Sequence, residues 1–163
     1  MKCSETRSVQ THIITFPYLN FHETLFGGQL MAWLDETAGI SAIRLSRVPI
    51  VTASVDQLDF LAPLKAGHSV CIETFISGTG HRSMEVFAKV IGEDLVSGER
   101  YLAGTSFMTF VVPKGNELPT VEPVTEEEQF ICDGYEGRKA ARQQKRSESL
   151  DFAAHIDLDT PWK

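Results

Sequence analysis

Gly27 and Gly28 open a mainly apolar run, Phe26-Gly27-Gly28-Gln29-Leu30-Met31-Ala32-Trp33-Leu34-Asp35, that places a carboxylate about two helical turns beyond the glycines. Glycine is costly at a helix start unless something must approach the backbone closely. A carboxylate in an apolar helix is costly unless it is paired, hydrogen-bonded or used in chemistry. Amides of a first helical turn lack intrahelical acceptors and favour developing negative charge, and an aspartate is suited to act as a general base or a nucleophile. A site at this helix is therefore the leading expectation. Glu36 points about 100° around the helix from Asp35 and belongs to a different face.

Other chemistries find less support. The chain has no G-x-S-x-G elbow, so a serine triad is not indicated. Cys3, Cys71 and Cys132 form an odd, widely spaced set, read as free thiols. The five histidines are dispersed without an H-E-x-x-H arrangement, and no metal is expected. His22 reads as a loop or pocket residue, and His81 has a weaker case still. The formal charge of −7 disfavours non-specific nucleic-acid binding. No segment approaches the roughly 20 apolar residues of a membrane span, and the N-terminus lacks an apolar signal segment, so a cytoplasmic protein is expected.

The elements that must hold this site follow from periodicity. His12 to Phe16 forms a first strand ended by Pro17, and Tyr18 to Leu25 forms a loop. The helix from Gly28 carries apolar residues on more than one face, which predicts an enclosed helix, and Arg44, Arg47 and Pro49 mark its end. Val51 to Phe60, Ser69 to Ser77, Met84 to Ile91 and Tyr101 to Val112 read as strands separated by turns at Pro63–Gly67, Gly78-Thr79-Gly80 and Gly92–Gly98. One strand, a helix and four strands are best built as an antiparallel sheet curled around one long helix. Residues 1–123 form this domain with a short N-terminal extension. Residues 124–163 form a helical C-terminal extension, with a helix opening at Glu126 to Glu128. Its cluster of Arg138, Lys139, Arg142, Lys145 and Arg146 reads as a solvated face or frayed tail, with a phosphate or subunit contact as the alternative.

This order, with Asn20, Gly27-Gly28 and Asp35, resembles the hotdog-fold acyl-CoA thioesterases, specifically the cytosolic acyl-CoA hydrolase branch. Asp59-Phe60 with Pro63 and Gly67, and Gly80 with Ser83, extend the resemblance from about Phe16 to Val112. It departs at Glu23, where the family has glycine, and at Arg82, where it has threonine. The resemblance implies an α+β hotdog fold and a homodimer, often a trimer of dimers, with sites between protomers. It also implies hydrolysis of fatty acyl-CoA, medium- to long-chain, to fatty acid and coenzyme A. No cofactor is implied, because coenzyme A is part of the substrate and a product. Asp35 is then the candidate base or nucleophile, and Asn20 faces the aspartate of the partner subunit. The first-turn amides of Gly28 and Gln29 are read as the carbonyl-binding groups and Ser83 as auxiliary, and Arg82, where the chain departs from the family, is read as a candidate contact for the phosphates of coenzyme A. Leu30, Met31, Trp33 and Leu34 are liners of an acyl tunnel or simply core. Two alternatives stand beside this reading: a hydroxyacyl-thioester dehydratase, and a non-enzymatic acyl-CoA-binding regulatory module.

Overall fold

The computed structural model describes residues 1–159; the last four residues of the C-terminal extension lie outside the described residues. A short helix α1 (Cys3–Thr6) leads into β1 (Ser8–Ile13), and a 3-10 turn (Phe16–Tyr18) precedes the long helix α2 (Gly27–Ser46). Then follow β2 (Val51–Phe60), β3 (Ser69–Thr79), β4 (Ser83–Glu93), β5 (Arg100–Val111), α3 (Glu126–Asp133) and α4 (Tyr135–Ala154).

The five strands form one antiparallel sheet in the order β1-β3-β4-β5-β2. The two strands on either side of α2 in sequence, β1 and β2, thus take opposite edges. The expectation of a sheet curled around the helix is corrected here. The edges do not pair with each other, so the sheet is open and α2 lies against one face. Leu30, Trp33, Leu34, Ala38, Ala42 and Leu45 of α2 bury against Val70, Ile72 and Ile76 of β3 and Val86, Ala88 and Val90 of β4. Met31, Ile40 and Ile43 of the helix stay exposed, so the helix is not enclosed within one chain. The edge strand β2 is itself largely exposed, Val51 and Val55 included, and does not wrap over the helix.

Two buried polar contacts fix α2 on the sheet. The Ser41 and Thr74 hydroxyls lie 2.7 Å apart, and Thr74 Oγ1 donates to the Thr37 carbonyl at 3.1 Å. Thr37 in turn donates to the Trp33 carbonyl at 2.7 Å. At its end Arg47 takes a left-handed conformation (φ 55°) and its N–H bonds the Ile43 carbonyl at 2.9 Å, before Val48-Pro49 prevents continuation.

The second face of the sheet is covered by both chain ends. Phe75, Phe87 and Phe107 meet Cys3, Ile131 and Cys132 there. The Tyr135 ring lies directly over Gly78, where a Cβ would sit 2.2 Å from the ring carbons. Glu85, wholly buried in β4, accepts from Ser77 Oγ at 2.6 Å and from Arg138 Nη2 at 2.8 Å, and it also pairs with Arg142. Two of the five basic residues of the C-terminal cluster therefore anchor α4, whereas the half of the helix beyond Arg142 is exposed. Glu128 of α3 is likewise buried, accepting from Val124 and Thr125 amides and pairing with Arg7 at 2.8 Å.

Candidate active site

The loop before α2 is built by Asn20. Its Oδ1 accepts from the amides of His22 (2.9 Å) and Thr24 (3.2 Å), and its Nδ2 donates to Thr24 Oγ1 at 3.0 Å. Such an Asx arrangement folds the chain back on itself. The turn needs a left-handed residue, and Glu23 supplies it at φ 58°. That is the position where the resembled family carries glycine, so this chain holds the same turn at a local cost.

Beyond this loop α2 starts without a capping side chain on Phe26. The Gln29 amide already donates to the Phe26 carbonyl at 3.0 Å, and the Leu30 amide to the same oxygen at 3.2 Å. The amides of Gly27 and Gly28 precede any intrahelical acceptor. Gly28 is crowded only by the exposed ring of Phe26, whose nearest carbon would lie 2.5 Å from an added Cβ. Asn20 and Gly27 border a common cleft of about 370 Å³, with Leu30, Phe60, Leu61 and Ala103. A second, more apolar cleft of about 900 Å³ lies on the other side of Asn20, between Phe16, Phe21, Phe26 and Ile14.

Asp35 lines neither cleft. It stands exposed on the flank of α2, and Thr52 of β2 donates its hydroxyl to Asp35 Oδ1 at 2.7 Å. Among the described residues no donor is bonded to Oδ2. Thr52 went unnoticed in the sequence, where it is one polar member of an alternating strand. Its only signal is its place at the strand's start, a distance that only the fold brings to the helix.

The chain thus brings Asn20 together with the start of α2, and Asp35 together with Thr52, but leaves the two groups apart. Ser83 begins β4 opposite Val111, itself paired with Val51 next to Thr52. Among the described residues its hydroxyl has no bond to Asp35. Arg82 directs Nε and Nη2 at the Val112 carbonyl, 3.3 and 2.9 Å away, and the Val112 amide returns a bond to the Arg82 carbonyl. Leu30, Trp33 and Leu34 are core residues, with Leu30 also reaching the smaller cleft, whereas Met31 is exposed. His12 stacks on Trp33 at 4.0 Å, and His68 Nδ1 lies 2.9 Å from the Tyr101 hydroxyl. Among the described residues no group of three His, Cys, Asp or Glu side chains is placed to hold a metal ion, and no helix is long and apolar enough to cross a membrane.

The thioesterase superfamily pattern matches residues 22–99, the span from the Asn20 loop through β4. An uncharacterized acyl-CoA thioester hydrolase of Bacillus subtilis is 44% identical over 98% of this chain and 95% of its own. The fold superposes with a TM-score of 0.91 on a Staphylococcus aureus acyl-CoA hydrolase solved with butyryl coenzyme A, coenzyme A and coenzyme A disulfide, 31% identical over 95% of this chain and 97% of that one. A hexameric acyl-CoA thioesterase gives a TM-score of 0.85 at 35% identity, covering 90% of this chain and 96% of the other. The mammalian cytosolic acyl coenzyme A thioester hydrolases are about 32% identical, and the chain spans about two-fifths (39%) of their length. With identity running along nearly the whole of the Bacillus relative, this chain belongs to the acyl-CoA thioester hydrolase family of the thioesterase superfamily.

Proposed function

We propose that this protein hydrolyses acyl-CoA to a fatty acid and coenzyme A in the cytoplasm, with Asp35 as the general base. The observation that carries the reading is the carboxylate itself: Thr52 holds Oδ1 at 2.7 Å, which turns Oδ2 outward to take a proton from water. The water attacks the thioester carbonyl, and the amides of Gly27 and Gly28 at the uncapped start of α2 bind the oxygen as it becomes negative. Collapse expels the coenzyme A thiolate, which leaves as the thiol once protonated. Gln29 N–H, spent on Phe26, has a smaller part in this than its neighbours. Arg82 meets the nucleotide phosphates and Ser83 supports the reacting group at the same end of the sheet as Thr52.

Asn20 comes from a second copy. The exposed residues Val51 and Val55 of β2 and Met31 of α2, one turn before Asp35, supply apolar surface near the carboxylate, which suits pairing of two protomers around it. Three such dimers form the larger assembly. The apolar cleft of about 900 Å³ beside Asn20 takes medium- to long-chain acyl groups.

The test is thiol release by the purified oligomer on acetyl-, butyryl-, octanoyl- and palmitoyl-CoA, beside the Asp35→Asn variant. Turnover of at least one substrate and its loss in the variant are expected; unchanged turnover in the variant sinks the role of Asp35. Mixed oligomers of Asn20→Ala and Asp35→Asn subunits regain activity only if the two residues meet across an interface.

A further inference from the structure

The strand that holds Thr52 is irregular in a specific way. In β2, Thr52 pairs with Phe110 and Ser54 with Thr109, skipping Ala53; Val55 pairs with Met108 and Gln57 with Phe107, skipping Asp56. Cross-strand partners point to the same face of a sheet. Phe110 and Met108 are core residues beneath α2, whereas Phe107 faces α4, with Arg138 stacked 4.1 Å over its ring. Each bulge therefore switches the face. Without the first, Thr52 and Ser54 would share one side, as residues two apart do in a regular strand. The bulge aims Thr52 at Asp35 while Ser54 points away.

The second bulge residue, Asp56, is the most heavily bonded side chain of the strand. Its Oδ1 accepts from Ser54 Oγ at 2.6 Å, its Oδ2 from Thr109 Oγ1 at 2.5 Å, and Arg142 Nε lies 3.8 Å from Oδ2. Arg142 of α4, together with Arg138, also pairs with buried Glu85. Asp56 thus ties the second bulge to the residue that closes the first, to the neighbouring strand, and to a helix anchored in the sheet.

We propose that Asp56, clamped by Arg142, is a positioning residue for hydrolysis: it holds the two bulges of β2 in the setting that presents the Thr52 hydroxyl to Asp35. This rests on the assignment of Asp35 as the base. Within one protomer β2 is an edge strand with a single neighbour to keep its pleat, so side-chain bonds across the bulges take over that task.

The test uses the full-length oligomer and a short-chain and a long-chain acyl-CoA. Thr52→Val lowers kcat about tenfold, the scale of one hydrogen bond to a charged group. Asp56→Ala lowers kcat by a similar factor while KM stays within about twofold, because the acyl and nucleotide contacts are untouched. The double variant falls no further than Thr52→Val alone, since both act through one bond. Asp56→Asn, which keeps an acceptor for one of the two hydroxyls, recovers part of the rate. Arg142→Gln and Ser54→Ala, which leave Asp56 in place, give smaller losses equally absent in the Thr52→Val background, and they decide the matter if Asp56→Ala does not fold. Multiplicative losses in the double variant, a KM that rises in step with the fall in kcat/KM, or full activity of Asp56→Ala overturn the proposal. If Asp35→Asn also retains turnover, the assignment of the base has failed; if it is dead while Asp56→Ala is normal, only the positioning role has.

Discussion

Replacing Glu85 with alanine tests how firmly the C-terminal helix is bound to the sheet. The carboxylate is wholly buried and accepts from Ser77 Oγ, from Arg138 through both Nε and Nη2, and from Arg142. Removing one partner of a buried ion pair costs about 3–5 kcal/mol when the other charge is left enclosed. Here the two arginine side chains keep 24% and 18% of their exposure, and Arg138 retains the Ile131 carbonyl at 2.7 Å and the Phe107 ring. Both heads regain water readily, which brings the expectation down to about 2–3 kcal/mol. For a chain of this size that corresponds to a fall in Tm of roughly 4–12 °C. Far-UV circular dichroism melts at several fixed protein concentrations measure it, since self-association shifts Tm by mass action. Brief trypsin treatment should cut after Arg138 and Lys139 sooner than in the unmodified protein, as α4 opens independently of the sheet. Glu85→Gln, with one acceptor left, should lie between. A loss in Glu85→Ala below about 1 kcal/mol with unchanged proteolysis would refute the reasoning, and α4 would then be held by apolar contacts alone.

Two glycines separate packing from chemistry. Gly78→Ala drives a methyl into the Tyr135 ring, 2.2 Å away, and should cost about 1–3 kcal/mol in a chemical melt. Gly28→Ala displaces only the exposed Phe26 ring and should leave stability unchanged or raised by up to about 1 kcal/mol, yet it should abolish thiol release by shielding the first-turn amides. Glu23→Gly relieves the left-handed backbone at φ 58° and should stabilise by about 1 kcal/mol in the same melts. The Cys132 thiol is held below its ordinary range chiefly by the hydrogen bond with Cys3, whose sulfur lies 3.7 Å away and whose own thiol is pushed up. Because the thiolate is the reacting form, Cys3→Ala should slow alkylation of Cys132 near neutral pH, read by mass spectrometry after a timed iodoacetamide pulse.

Periodicity made the elements legible. The four later strands fall where the alternating apolar residues and glycine turns put them, and α2 runs from Gly27 to Ser46 against an expected Gly28 start and an end marked by Arg44, Arg47 and Pro49. The first strand was displaced: β1 ends at Ile13, because Pro17 already shapes the Phe16–Tyr18 turn. α1 left no signal, being a single turn held by the rest of the fold. The curled sheet was the larger miss. Apolar residues all around α2 imply burial but not by what, and Met31, Ile40 and Ile43 lie outside the protomer's own core. The proposed site starts from what residue type alone offers, the glycine pair and the isolated carboxylate. Thr52 and Asp56 were not legible in this way, since their meaning depends on register shifts that no local pattern encodes. The basic C-terminal residues were split by the same limit: Glu85, their main partner, lies more than fifty positions away.

The bulges in β2 also bear on what this edge will refuse. A flat strand edge offers evenly spaced donors and acceptors to any extended peptide, which is the route to runaway sheet growth. Two skipped residues within Thr52–Gln57 break that spacing in the middle of the edge, and Asp56 fastens the break. A regular foreign strand cannot keep step past it. The irregularity that aims one hydroxyl therefore also protects the newly made chain from indiscriminate strand addition.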